Sequence, residues 1–505
     1  MKKKVLPKLR LLESALLCIS SFVLQPINQL PKDVFILIPR FFTRERGEWP
    51  YAYFPTNGPL VTMTHVCRSW RNVLLSTPSL WTQVDFSKSP KSLQAKGFIS
   101  RSRGQPLHIY QLLEQVEHAE PFISVTLRNI PRVRRLDIHS YLPYLEHILE
   151  YLSVPAPVLE YLDITNEPNE TERDIVLPKV FGGRFPKLTS LSLHHLHTDL
   201  RGFNPPSLTR FSFATSTSTS IRNLTSFFER CPLLEFIHLR FSFTPETPVL
   251  PPKKRVRLAA LKELEFNQMA STSGLLDYLV LPKCVKMMLK GEFTGEEFNK
   301  YGDRAARIHP SSIEHIPVMR GITKAVAMRN SCVLSGPNGY LRLFFYEETR
   351  DNFDAEFFTS LSPISVLEIR ELWVGQDTTD RSRPLGQTPA SVRDALGVLM
   401  KVEDLNIVNC ETVPFFSALG FISDNGVILS RLRMLTIYIG RGDLDVLALI
   451  QSAKARKEHC RPFGVTVVFE KKPGADLVEG IESLKEFVGE LVYRVGCAPK
   501  LFDFW

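Results

Sequence analysis

The chain has 505 residues, of which 44% are hydrophobic and 23% charged. That length exceeds one ordinary core, so at least two structural units are expected, and the apolar share excludes a disordered chain. A net charge of +9 is too slight on a chain of this size to mark a nucleic-acid-binding arm.

The chain opens on a basic stretch, "MKKKVLPKLR", followed by the apolar "LLESALLCISSFVL". Glu13 interrupts the apolar run, and the uninterrupted residues 14–24 are too few to cross a bilayer. Residues 1–25 therefore read as an amphipathic or poorly ordered extension in preference to a targeting signal. Nothing later is apolar enough for a membrane span.

Residues up to about Phe86 read as short helices. In "LPKDVFILIPRFF" (30–42), Leu30, Val34, Leu37 and Ile38 share one helical face. Pro31 suits a first turn, and Pro39 is expected to stop the helix. Residues 43–59, rich in Gly, Pro and aromatics, read as a loop. Val66, Trp70, Val73 and Leu74 repeat the helical spacing, "STPS" ends that helix, and Leu80–Trp81 begins another apolar element.

Beyond Phe86 a phrase recurs, apolar-x-x-apolar-x-apolar. It appears as "VRRLDI" at Val133, "LEYLDI" at Leu159, "LTSLSL" at Leu188, "LTRFSF" at Leu208, "LEFIHL" at Leu234, "LKELEF" at Leu261 and, more weakly, "CVKMML" at Cys284. The first positions lie 26, 29, 20, 26, 27 and 23 residues apart, in or near the period of leucine-rich repeats, where the phrase is a short strand. "LRLFFY" (341–346), "ISVLEI" (364–369), "VEDLNI" (402–407) and "LRMLTI" (432–437) continue it. The last two apolar residues of each phrase face the same side of a strand. Intervening segments such as "LPYLEHILEYLSV" and "IRNLTSFFERC" carry helical periodicity. One repeat cannot bury its apolar face alone, so the units must stack. Residues 291–339 are the least repeat-like and read as an insertion or a decayed repeat.

Catalytic grammar is missing from the sequence: there is no phosphate-binding loop, zinc-protease helix, nucleophile elbow or dinucleotide fingerprint. "SGPNGY" (335–340) reads as a turn. His194, His195 and His197 lack Cys or carboxylate partners at ligand spacing, so they read as an ordinary loop and not a metal site. The eight cysteines form no C-x-x-C pair and suit buried free thiols in a reducing compartment. "PPKKRVR" (251–257) reads either as a nuclear-import signal or as a basic loop on the rim of the repeats. No enzyme, cofactor or metal is expected.

"LPKDVFILI" followed by "VCRSWRNVLLSTPSLW" resembles the F-box, through Leu30, Pro31, Val34, Ile38, Val66, Cys67, Trp70, Arg71, Leu80 and Trp81. With "FISRSRGQPLHIYQ" (98–111) and the weak repeats, the whole is similar to the large F-box-like families of mushroom-forming fungi. The resemblance implies an α/β chain: a short N-terminal helical F-box over 26–86, with an inserted loop at about 43–59, then a curved leucine-rich-repeat-like solenoid over 87–505 with parallel strands and outer helices. It implies that Leu30, Pro31, Val34, Ile38, Val66 and Cys67 face a Skp-type adaptor, and through it a cullin. Trp70, Leu80 and Trp81 would knit the helices together and join them to the repeats. The family's role is to present a protein substrate for ubiquitination, in the cytoplasm or nucleus, with no nucleic acid and no membrane involved; the runner-up is an interaction scaffold that directs no ubiquitination. From Pro31 to Cys67 is 36 residues, longer than a compact F-box needs, and the 43–59 loop accounts for the excess.

Overall fold

The computed structural model describes residues 30–42, 58–86, 93–113, 119–140, 145–166, 175–215, 219–240, 254–267, 272–291, 313–328, 331–345, 368–375, 388–423, 426–440 and 444–497. Residues 1–25 and nearly all of the expected 43–59 loop lie outside them. The chain is mixed α/β, with helices and a large, mostly parallel sheet. It forms two compact units, 1–208 and 209–505.

The first unit begins with helices α1 (Lys32–Phe42), α2 (Gly58–Met63) and α3 (Arg68–Leu75). Pro39 does not stop α1, contrary to expectation; the helix runs on to Phe42. Proline removes one N–H from the ladder, but its ring is buried beside Phe35 on the inward side, and that packing offsets the loss. The expected loop also ends early, because Gly58 and Pro59 already open α2, where proline in a first turn lacks only a donor the helix leaves unused.

A short 3-10 turn over Pro78–Leu80 leads into β1 (Gln83–Asp85). The segment expected to be wholly helical thus ends on a strand. β2 (Leu107–Leu113), β3 (Val133–Ser140), β4 (Tyr161–Asn166) and β5 (Ser190–His194) follow. All pair in parallel, in sequence order. Between them lie α4 (Leu93–Arg101), α5 (Ala119–Asn129) and α6 (Leu145–Glu150). The register stacks Val84, Ile109, Leu136, Leu162 and Leu191 side by side, all buried. Each such side chain contributes about 1.5–3 kcal/mol on leaving water.

The second unit repeats the device. β6 (Arg210–Ala214), β7 (Phe236–Arg240), β8 (Glu263–Asn267) and β9 (Lys286–Gly291) pair in parallel. Phe211, Ile237, Leu264 and Met287 form the buried row. α7 (Ile221–Glu229) packs on that row, with the Phe227 ring 4.7 Å from Phe211, and α8 (Thr272–Asp277) lies between β8 and β9 in sequence.

The parallel order then breaks. β10 (Lys324–Met328), β11 (Ser331–Gly336) and β12 (Gly339–Phe345) form an antiparallel meander. β12 pairs in parallel with β9, and β10 pairs in parallel with β13 (Glu371–Gly375). Across the sheet the order is therefore β9, β12, β11, β10, β13. The expectation of parallel strands is corrected here: β11 runs against both neighbours, and the phrase "LRLFFY" is the last strand of a meander. Its hairpin turn is Pro337–Asn338 within the "SGPNGY" stretch. Gly339 is required there, since its φ is +122° and a Cβ would sit 2.0 Å from the Val285 carbonyl oxygen.

Of "ISVLEI", residues 364–367 lie outside the described segments; the described strand, β13, is "ELWVG". The same phrase recurs five residues later as Ile369, Leu372 and Val374, all buried. The two copies overlap at Ile369, and the later one takes the register. β14 (Asp404–Val408), β15 (Met434–Ile439), β16 (Gly464–Phe469) and β17 (Glu490–Val495) complete the parallel run. Helices α9 (Pro389–Val398), α10 (Val413–Leu419) and α11 (Val446–Lys457) alternate with them, and α12 (Ala475–Glu482) precedes the last strand.

Candidate functional site

α1 carries two apolar stripes. Phe35 and Pro39, one turn apart, are buried, and the Phe35 ring meets Trp70 of α3 edge-on with centroids 4.9 Å apart. Two hydrogen bonds fix the helix along its length: Lys32 Nζ donates to Ser76 Oγ at 3.3 Å, and Arg40 Nη2 to Ser79 Oγ at 3.2 Å. The other stripe faces water. Leu30, Val34, Leu37 and Phe41 follow i, i+4, i+7, i+11 spacing, with exposures of 38%, 40%, 57% and 66%. Pro31 is exposed and Ile38 half-buried. Leu37 and Phe41, absent from the expected adaptor-facing set, are more exposed than Val34. The spacing already puts Leu37 on the face of Val34; Phe41, seven residues after Val34, is hidden by the expectation that Pro39 ends the helix.

Val66 is 57% exposed. Cys67, half-buried, caps α3: its Sγ accepts the Trp70 N–H at 3.5 Å. Trp70 is half-buried and Leu80 buried. Arg71 Nε donates to the Thr64 carbonyl at 2.8 Å. Trp81 is 1% exposed; its Nε1 donates to the Leu74 carbonyl at 2.9 Å, its ring meets Phe98 at 4.8 Å, and the Arg101 guanidinium lies 4.7 Å above it. Trp81, Val84 and Phe86 are all buried and spell the repeat phrase, so this tryptophan is also the first apolar position of the sheet.

The residues between the paired apolar positions of each phrase point to the opposite face of the sheet. In the first unit, the register aligns Asp85, Tyr110, Asp137, Asp163 and Ser192 across that face. Arg135 Nε lies 2.7 Å from Asp137 Oδ2. Asp137 is 3% exposed, and burial pushes its carboxyl up to about 6, against the pull of Arg135 and with help from Asp163.

In the second unit the corresponding face is polar over β6–β9. Ser212 Oγ lies 3.0 Å from His238 Nδ1, Asn267 Nδ2 lies 3.0 Å from His238 Nε2, and the Glu265 carboxylate stands 3.7 Å from the same nitrogen. This hydroxyl–imidazole–carboxylate order is sealed from solvent, with Ser212 at 0% and His238 at 2% exposure, so it cannot present a nucleophile to a substrate. Lys286 pairs with Glu263 at 2.8 Å. Around the meander the face turns apolar: Val326, Met328, Val333, Trp373 and Val408 cluster there, with Tyr340 and Tyr438 packed against them. Lys324 Nζ lies 3.0 Å from the Glu371 carboxylate and 5.3 Å from the centre of the Trp373 ring. These x positions were missed because attention to the apolar frame hides the residues it displays.

Burial pushes the thiols of Cys231, Cys284 and Cys332 up to about 12, which removes them from thiolate chemistry. Among the described residues no group of three His, Cys, Asp or Glu is placed to hold a metal ion. Of the basic run, Pro251–Lys253 lie outside the described residues. Val256–Arg257 pairs with Leu279–Val280, and Arg255 Nε donates to the Asp277 carbonyl at 3.0 Å. Among the described residues no helix is long and apolar enough to cross a membrane.

The geometry defines a mixed α/β protein that displays one outward apolar helix stripe and side-chain rows across a mostly parallel sheet. No protein-family model and no curated protein matches the chain.

Proposed function

We propose that this chain is the substrate-recognition subunit of a Skp–cullin–F-box ubiquitin ligase. The N-terminal helices act as an F-box that docks a Skp-type adaptor, and the strand arrays act as a divergent leucine-rich-repeat-like solenoid that holds a protein substrate. The observation that carries this reading is the outward stripe of α1. An eleven-residue helix that already buries Phe35 and Pro39 has no folding use for Val34 and Leu37 in water, and such a stripe is better satisfied by a partner. The F-box resemblance of Leu30, Pro31, Val34, Ile38, Val66 and Cys67 names the kind of partner.

The chain itself carries out no bond-forming step; its contribution is to position a substrate. Substrate contact falls to the displayed rows, where Tyr110, Asp163 and Tyr161 in the first unit and Tyr340 and Tyr438 in the second offer half-exposed aromatic and charged groups. The work is done in the cytosol or nucleus, where the adaptor and cullin reside.

The test is capture of the full chain with adaptor and cullin together, followed by a search for ubiquitinated proteins that depend on it. Adaptor, cullin and ubiquitinated species in one complex support the ligase reading. Adaptor without cullin or ubiquitinated species replaces it with the scaffold.

A further inference from the structure

Among the described residues β17 is the last strand of the second unit's ladder, pairing with β16 and with no other strand. All its residues except Leu491 are exposed, and Val492, Tyr493 and Val495 stand at 39%, 39% and 58%. The end of a stacked array ordinarily turns a polar side to water, and an exposed apolar edge is a template for another strand.

The main chain is aligned for such pairing. Gly496 N–H donates to the Phe469 carbonyl at 2.8 Å, in a register that sets Val495 beside Phe469. Alternation along the strand then turns the main-chain groups of Glu490, Val492 and Arg494 toward β16. It leaves the N–H and C=O of Leu491, Tyr493 and Val495 directed outward.

The edge strand is self-complementary. In an antiparallel pairing about a two-fold axis at Val492, each Val492 faces its copy in a non-hydrogen-bonded pair. Glu490 faces Arg494 of the second copy, and the reverse pair forms on the other side. Leu491 and Tyr493 of the two copies exchange the outward main-chain hydrogen bonds, their side chains on the opposite side of the sheet. We propose that β17 is a self-association edge through which two copies of this chain join antiparallel, continuing the sheet from one copy into the other. Both charges of the strand are matched at once by a second copy of it, as an isologous interface requires. This inference stands independently of the adaptor-docking reading.

The experiment is sedimentation of the full chain over a concentration series. Tyr493→Pro removes an outward main-chain donor and leaves the main-chain ladder to β16 intact. The unmodified chain is expected to dimerise and Tyr493→Pro to stay monomeric. Glu490→Arg or Arg494→Glu alone sets like charges opposite each other and raises the dimer dissociation constant about tenfold or more; the two together restore it. A chain that is monomeric throughout, leaving the edge to a strand of a different protein, overturns the proposal. So does a dimer indifferent to Tyr493→Pro, or a double variant as weak as the single ones.

Discussion

Phe35 and Trp70 meet edge-on at 4.9 Å, and that contact decides which side of α1 faces water. Phe35→Ala removes the inward anchor and is expected to cost about 3 kcal/mol of stability. Val34→Ala, one residue away on the outward stripe, is expected to change stability by less than about 0.5 kcal/mol. Denaturant midpoints of the two variants check this contrast.

Trp81 joins the helices to the sheet through a hydrogen bond as well as its bulk. Trp81→Phe keeps most of the ring but removes the donor to Leu74 O. The Leu74 carbonyl still accepts from Thr77 N–H, so the loss is that of one buried bond, about 1 kcal/mol. Trp81→Ala adds a cavity and is expected to cost about 3–5 kcal/mol. Thermal melting separates the two.

Arg456, on α11, is buried at 2% exposure. Its guanidinium donates to the carbonyls of Leu419 at 3.2 Å, Ile428 at 2.5 Å and Leu429 at 2.8 Å, tying the end of α10 to the following loop. Arg456→Met leaves those acceptors dry and is expected to cost about 3 kcal/mol. Arg456→Lys should rescue little, because an ammonium cannot reproduce the planar fork. Denaturant midpoints read both variants.

Asp137 gives the first unit a pH dependence. Its carboxyl is raised from 3.8 to about 6 by burial, so in that window the folded chain holds a proton that the unfolded chain releases. This group's stabilising contribution is present below 3.8 and is lost as pH rises through about 6. The groups facing it are Arg135, Asp163 and His139. Asp137→Asn is expected to flatten the slope of stability between about pH 4 and 7. Melting curves across that range check it.

Much of the sheet is legible in the sequence because one phrase serves every parallel strand. Val133, Leu136 and Ile138 state it, and Leu432, Leu435 and Ile437 repeat it three hundred residues later. The strands that escape notice depart from it. β2 puts the buried Gln111 where a final apolar residue is expected, and β1 lies inside a segment whose helices dominate the reading. At β13, two overlapping copies of the phrase compete, and sequence alone does not rank them. The meander is illegible for another reason: a strand's apolar period is the same whether its neighbour runs parallel or antiparallel. In α1, the apolar face is legible as a period but its direction is not. Which stripe turns inward depends on Trp70, a residue from another helix.

The central claim is that the outward stripe of α1 docks a Skp-type adaptor, and calorimetric titration of purified adaptor into the full chain tests it most directly. The account predicts binding at about 1 μM or tighter, weakened about a hundredfold by Val34→Asp with Leu37→Asp, at an unchanged melting temperature. No binding by the unmodified chain, or equal binding by the double variant, would contradict it.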